Sequence, residues 1–239
     1  MRNMSILYRL LFIAVIALPS SAFALFDACL DSFPNQQLPS TTQIGRDLCF
    51  EGFAILYSPE HKKPIYVAQK LNRNRLNGER QKRSNRFYEE ARLPRQERAL
   101  LTDYRDSGYD RGHNAPAADM HNEQAMAQSF SLANMMPQAR ENNRGIWAKK
   151  VEQATRHYAL RASGDIYVFT GSSGDAGHIG TSRVTVPTHL FKLVYDPSRK
   201  KAWAYWIENT NAAEMSPPIS YQELMTRTGI DFHLPDITP

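Results

Sequence analysis

Tyr109-Asp110-Arg111-Gly112-His113-Asn114-Ala115-Pro116-Ala117-Ala118-Asp119-Met120 places an acid, a guanidinium, a glycine and a histidine in four consecutive positions and then runs into a proline. Gly112 lets the backbone take a positive φ or lie close against another group. Pro116 fixes its own φ and biases Ala115 toward extended geometry. Arg111 and His113 are therefore expected on a tight loop or a strand end, not on a regular helix face. An imidazole titrates near neutrality and can take a proton from water. A guanidinium fork suits a pair of phosphate oxygens. Together they point to phosphoryl chemistry. An Asp-Arg-Gly-His run alone reads equally well as a surface turn with a salt bridge, so the rest of the chain has to decide.

Upstream, residues 50–57 and 64–71 are β-branched and aromatic, with a polar Pro59-Glu60-His61-Lys62-Lys63 turn between them, and predict a hairpin. Residues 72–98 are the most charged region, with Arg73, Arg75, Arg80, Lys82, Arg83, Arg86, Arg92, Arg95 and Arg98. Such a run is ordinarily a solvated loop. The functional alternative is the wall of a phosphate-tracking groove, with Phe87 and Tyr88 anchoring the loop or stacking on bases. Downstream, Asn122 is placed to cap a short helix through Met126, and 129–136 is an apolar segment ended by Pro137. Trp147, Val151, Ala154 and Tyr158 mark one face of an amphipathic helix over 144–161. A strand over 165–170, a Gly/Ser-rich loop over 171–180 and strands over 184–195 and 201–207 follow, the last two joined at Asp196-Pro197. A helix over 219–228 closes with Gly229. The class expected is α+β, an antiparallel-rich β-sheet core flanked by helices, with the reactive residues on a strand-loop-helix unit.

Arg2, Arg9, an apolar run over 10–18 and Ala22-Phe23-Ala24 form the pattern of a secretory signal with cleavage after Ala24. The run is too short for a comfortable membrane span, and no later stretch reaches that length. Residues 25–239 are then one domain, exported to the periplasm or out of the cell, with no membrane span after cleavage. Losing Arg2 and Arg9 lowers the formal charge of +5 by two, to +3. This mildly basic balance is compatible with a polyanion. Two cysteines, Cys29 and Cys49, most simply pair in an exported protein.

Phosphodiester hydrolysis needs a base for water, a charge to stabilise the phosphoryl oxygens, and neutralisation of the leaving oxygen. Histidine serves the first, and a divalent cation with arginine the others. Mg²⁺ keeps several waters and needs only one or two protein oxygens. Three blocks meet this description: Tyr-Asp-Arg-Gly-His-x-Ala-Pro-Ala-x-Asp at 109–119, Ser129-Phe130-Ser131-Leu132-Ala133-Asn134-Met135-Met136-Pro137-Gln138, and Asn142-Asn143-Arg144-Gly145-x-Trp147. In order and spacing they resemble the DNA/RNA non-specific endonuclease family, the sugar-nonspecific, endonuclease G-like nucleases with a ββα-metal site. Weaker likeness reaches back to the strand at Phe50 and on to Thr228-Gly229-Ile230-Asp231-Phe232, most of the chain after the signal.

The resemblance implies that His113 is the general base and that Asn143 binds one Mg²⁺ through its side-chain oxygen, with Mn²⁺ able to substitute. It implies that Arg111 contacts phosphate, that Asp110 orients the loop, and that Asn134 is a hydrogen-bonding support for the histidine or the substrate. Asn134 and Asn143 read outside this context as caps. Arg86 is the candidate for a further family arginine upstream. One departure stands out. The family's glutamate lies eight residues after the metal asparagine, and Val151 occupies that place here, with Glu152 next to it. At about 100° per residue, one step swings a side chain well round a helix. A π-bulge between Trp147 and Glu152 would restore the direction, bringing Glu152 to the metal's water shell and Arg156, four residues on, to the substrate.

DNA and RNA are the implied substrates, cut with little sequence preference to leave 5′-phosphate ends. A homodimer and a protein inhibitor are compatible partners. An exported nucleic-acid-binding or uptake protein with weak catalysis is the main alternative, resting on the displaced glutamate. A small-nucleotide phosphodiesterase and a purely structural domain stand behind it. With an ordinary histidine pKa, activity is expected to fall below about pH 6.

Overall fold

A computed structural model describes residues 26–78 and 81–237. The expected signal segment, 1–24, lies outside them. The strands are β1 (Ser40–Thr41), β2 (Arg46–Cys49), β3 (Ala54–Ser58), β4 (Lys63–Leu71), β5 (Tyr109–His113), β6 (Met135–Ala139), β7 (Ile166–Ser173), β8 (His178–Ile179), β9 (Val184–Thr185), β10 (His189–Asp196), β11 (Lys201–Glu208) and β12 (Ile230–Asp231). The α-helices are α1 (Arg73–Leu76), α2 (Glu123–Gln128), α3 (Arg140–Asn142), α4 (Gln153–Arg161) and α5 (Tyr221–Thr228), with a π-helical segment, Asn143–Glu152, joining α3 to α4.

Six strands form the main sheet in the order β11-β10-β7-β4-β3-β2, every pair antiparallel. The α+β, antiparallel-rich class holds. The central β4 is buried almost throughout, because both faces of the sheet are covered. Tyr66 and Ala68 join Phe26, Phe33, Phe169 and Phe232 under α5. Val67 turns to the other side, toward Met126, Phe130 and Ala133. Coverage on both faces is why this strand reads as an apolar run and not as an alternation. A Cys29–Cys49 disulfide, with Cα atoms 5.5 Å apart, ties the N-terminal segment to β2. Closing a loop of that size is worth about 3 kcal/mol in the chain-entropy account.

On the second face lies a ββα unit. β5 pairs with β6 in the register Asp110↔Gln138 and His113↔Met135, and Ala139 leads straight into α3. The helix seats on the sheet through Met136, Trp147, Val151, Leu190 and Ile207. Truncating a fully buried tryptophan such as Trp147 costs about 3–5 kcal/mol. The buried stripe is Trp147, Val151, Thr155 and Ala159, while Ala154 faces solvent. The helical face expected from a 3.6-residue period is thus corrected. In the π segment the bonds span five residues, with Gln153 N donating to Ala148 O, so the buried positions recur every four.

Two prolines behave differently from their sequence reading. Pro137 lies inside β6 and does not end it, because β6 has a single partner strand and the missing N–H interrupts no second ladder. Pro187 splits the strand expected over 184–195 into β9 and β10. Asn209 bridges both places. Its Nδ2 donates to Pro137 O (3.0 Å) and Pro187 O (2.9 Å), and its Oδ1 accepts from Ala139 N (2.8 Å). The last helix starts at Tyr221, where Ser220 Oγ accepts from Glu223 N (3.1 Å), and it closes on Gly229 at φ 68.

Candidate active site

Alternation along β5 puts Arg111 and His113 on one face, with Gly112 between them on the other. A Cβ at Gly112 would lie 2.2 Å from Gln138 Oε1. Of the two roles open to this glycine, the structure selects close approach by the neighbouring strand. His113 is 8 % exposed. Its ring stands edge-on to Phe130 at 5.0 Å and tilted against Phe87 at 5.8 Å. Nε2 is buried with no hydrogen-bond partner among the described residues. Burial first, and the Arg83 charge second, push this imidazole down to about 3. A ring in an aromatic slot is hard to protonate, so burial here works against the ordinary histidine value on which the pH 6 expectation rests. Phe87 also lies 4.9 Å from the Arg111 guanidinium, and Tyr104 5.6 Å from it. Arg111 spends one bond on Leu101 O (3.4 Å) and keeps a buried Nε without a partner among the described residues.

Asp110 ties the strand to the helix. It accepts from Asn143 Nδ2 (3.0 Å) and from Arg144 Nε and Nη2 (2.8 and 2.9 Å), with Arg140 at 3.7 Å. Burial raises the Asp110 carboxyl, but the Arg144 and Asn143 hydrogen bonds and the arginine charges outweigh it and hold it below the usual carboxylate range. An ionised carboxylate only accepts, so it fixes the Asn143 amide with nitrogen inward. Asn143 Oδ1 takes no hydrogen bond from the described residues and is left as an acceptor.

The π segment sends Val151 into the core, and the charges of Lys192, Asp119, Arg156 and Arg83 reach Glu152 beside it. Burial raises the Glu152 carboxyl; Lys192 is the leading charge opposing that rise, Asp119 adds to it, and Arg156 and Arg83 oppose it further. Lys192 itself is lowered by burial and raised by Glu152 and Asp119. Its Nζ donates to Thr170 Oγ1 and stands 5.8 Å from the Trp147 ring. Arg156 Nε pairs with Asp119 Oδ1 at 2.7 Å. An amide oxygen and a carboxylate form an all-oxygen donor set. That set fits a hard divalent cation which keeps most of its water.

Asn134 has a different place from the one expected. It is fully buried, its Oδ1 accepting from Ala115 N (2.9 Å) and its Nδ2 donating to Ala115 O and Ser129 O (both 2.9 Å). With these groups committed to the backbone it makes no hydrogen bond to the His113 ring among the described residues. It pins the loop that follows His113. Arg86, like Arg83, is exposed, and among the described residues no contact joins the Arg86 guanidinium to the site. Arg83 takes the place beside the base: its guanidinium lies 5.0 Å from the Phe130 ring, and its charge reaches both His113 and Glu152. Arg83 was hidden among the basic residues of 72–98, where no spacing distinguishes one arginine from the next. A groove of about 450 Å³ runs beside these groups, lined by Arg75, Arg83, Ala117, Met120, Arg156 and His157 among others, with no acid in its walls.

Comparison with known proteins agrees with this geometry. The model of the DNA/RNA non-specific endonuclease family matches residues 32–235. The mitochondrial nuclease EXOG of Danio rerio is 36% identical over 165 residues, 62% of this chain and 48% of that protein. Human mitochondrial endonuclease G is 32% identical over 157 residues, 60% of this chain and 52% of that one. Nuclease C1 of Cunninghamella echinulata var. echinulata is 34% identical over 170 residues, 65% and 67% of the two chains. A solved structure of the EndoG/EndoGI complex superimposes with a TM-score of 0.71 at 25% identity, over 79% of this chain and 86% of that one. The chain spans about half the length of the mitochondrial relatives it matches.

Proposed function

The chain belongs to the DNA/RNA non-specific endonuclease family, and we propose that it is an exported, Mg²⁺-dependent endonuclease that hydrolyses DNA and RNA with little sequence preference. The observation that carries this reading is the Asp110–Asn143 bond. It joins the strand of the base to the helix of the cation ligand and leaves one amide oxygen open.

In this reading His113 takes a proton from the attacking water. Phe87 and Phe130 hold the ring in place and keep it neutral. Arg111 and Arg83 grip the phosphodiester, with Arg156 along the groove, and Asn134 fixes the loop behind the base. A bound divalent cation, held through Asn143 Oδ1 with Glu152 toward its hydration, would neutralise charge on the phosphoryl and leaving oxygens. Contact through phosphate accounts for indifference to sugar and sequence, and attack at phosphorus with breakage of the P–O3′ bond, O3′ leaving with a proton, gives a 5′-phosphate and a 3′-hydroxyl. A substrate phosphate brings negative charge to the ring and strengthens the base. The alternative, a binding protein with lost catalysis, rests on the displaced glutamate; the Lys192, Asp119, Arg156 and Arg83 charges that reach Glu152 support the catalytic reading instead. Export is supported by the Cys29–Cys49 bridge. The solved EndoG neighbour is held by an inhibitor, which supports a protein inhibitor as a partner here; a homodimer stays part of the proposal.

The test is degradation of supercoiled plasmid and of total RNA in Mg²⁺. EDTA should abolish both. His113→Ala should lower the rate by about 10²–10⁴-fold while the fold is kept. Near-normal cutting by that variant would sink the base assignment.

A further inference from the structure

Two lysines are buried in the main sheet. The acids whose charges reach Lys192 on β10 are Glu152 and Asp119. Lys63, the first residue of β4, is 5 % exposed and donates from Nζ to Ser172 Oγ on β7 at 3.0 Å. Among the described residues no carboxylate forms an ion pair with it. The acid whose charge reaches it is Asp175. That side chain is half exposed and turned to Gly177 N (2.7 Å) and His178 Nε2 (3.8 Å). Burial pushes the Lys63 ammonium down to about 8, so it still carries its proton at pH 7. An ammonium has three donors, and a buried one without a counter-charge is costly.

Lys63 lines a cleft of about 260 Å³ with His61, Ser172, Ser173, Gly174 and Asp175. Its walls share no residue with the groove beside His113. Gly174 sits at φ +80, and a Cβ there would fall 2.0 Å from Thr188 Oγ1. The turn that carries the two serines therefore depends on glycine. His61 Nδ1 is engaged with Thr185 Oγ1 at 3.1 Å, which leaves Nε2 for another partner. Cation, hydroxyls and imidazole converge on one small space. Asp175 stands at the exposed rim, where water screens it.

We propose that this cleft binds a phosphate group at a site separate from the catalytic groove, Lys63 supplying the charge and Ser172, Ser173 and His61 the polar partners. The choice of phosphate over another oxyanion rests on the nuclease reading, since such an enzyme works among phosphodiesters and releases 5′-phosphates.

The test titrates inorganic phosphate calorimetrically at pH 7 in EDTA, using the full protein carrying His113→Ala. Lys63→Met should weaken phosphate at least about tenfold, the scale of a lost charged hydrogen bond. Equal affinity with and without Lys63 overturns the site. Should Lys63→Met fail to fold, lysine side-chain NMR on the unaltered Lys63 replaces it. Phosphate should raise the midpoint of a low-titrating lysine by about one pH unit, and no movement of any such lysine overturns the site. Long duplex DNA separates the sources. Weaker duplex binding in Lys63→Met assigns a strand phosphate; unchanged duplex binding with lost phosphate binding assigns free or terminal phosphate. Plasmid cutting by the unaltered enzyme is measured alongside. Lys63-dependent phosphate binding without cutting breaks the nuclease reading alone, and cutting without such binding breaks this proposal alone.

Discussion

The catalytic groove and the Lys63 cleft handle buried charge in opposite ways. β4 and β10 flank β7 on its two sides, and each sends one lysine to a β7 hydroxyl: Lys192 to Thr170, Lys63 to Ser172. In the active site several charges are answered from within, Arg156 by Asp119 and Arg144 by Asp110, and the Glu152 charge reaches Lys192. Beside them Asn143 Oδ1, His113 and the Arg111 Nε stay open among the described residues. In the cleft the charge itself stays open. Internal pairing fixes side chains ahead of the substrate, which is what a reaction needs. An unanswered charge is a binding site in waiting, with its balance supplied from outside.

The comparison breaks most visibly in stability. Lys192→Met strands Glu152 in the site, and breaking a buried pair costs about 3 kcal/mol. That lowers Tm by roughly 6–12 °C for a chain of this size. Adding Glu152→Gln should recover part of the loss, because the stranded charge is gone. Lys63→Met strands no carboxylate and should stay within about 1 kcal/mol of the parent. Calorimetric melting of the three variants checks this. Equal losses for the two lysines would mean that Lys63 has a partner within the fold.

A smaller effect sharpens the groove's side of the contrast. Asp110→Asn keeps the shape but offers Asn143 a mixed donor and acceptor, so the amide is free to turn its oxygen inward. Mg²⁺ affinity, read by calorimetry, should fall about 10–100-fold, the usual effect of losing a residue that orients a metal ligand. Lys63→Met should leave it unchanged. An Asp110→Asn protein with parental Mg²⁺ affinity would remove the argument for a fixed Asn143 amide.

Which of these features could be read in the chain follows from their physics. The base, Arg111 and Asn143 lie in short blocks of unusual residue types, and residue type carries the chemistry. The one-residue displacement of Glu152 announced the π segment, because a helix can absorb an extra residue only by widening a turn. Asn134 was legible as important but not in its role, since a ligand and a backbone clamp use the same side chain, and only the positions of Ala115 and Ser129 tell them apart. Arg83 and Arg86 are equivalent in the sequence and separated by where the loop places Phe130. Lys63 and Lys192 read as ordinary polar positions on strands. Their burial comes from other elements, Ser172 on β7 beside Lys63 and Trp147 on the π segment beside Lys192, and no local pattern reports that.

The aromatic slot around His113 gives the smallest and most specific effect. A group whose folded pKa is lowered stays neutral to lower pH, so the base-dependent limb of kcat/KM, which reports the free enzyme, should lie below about pH 5. Phe87→Ala admits water to one side of the ring and eases protonation. The limb should then move up by about one pH unit, toward the reference histidine value near 6.5. Arg83→Gln should move it the same way by less, since burial is the larger cause and the Arg83 charge the second. Phe87 also packs on Arg111, so KM for substrate should rise in Phe87→Ala while the shift in the limb reports the ring alone. The residues lining the Lys63 cleft include no Phe, Tyr or Trp, and the Lys63→Met profile should superimpose on the parent's. A parental limb already at pH 6 would show that the ring is wet in solution, and the slot would then hold the base without tuning it.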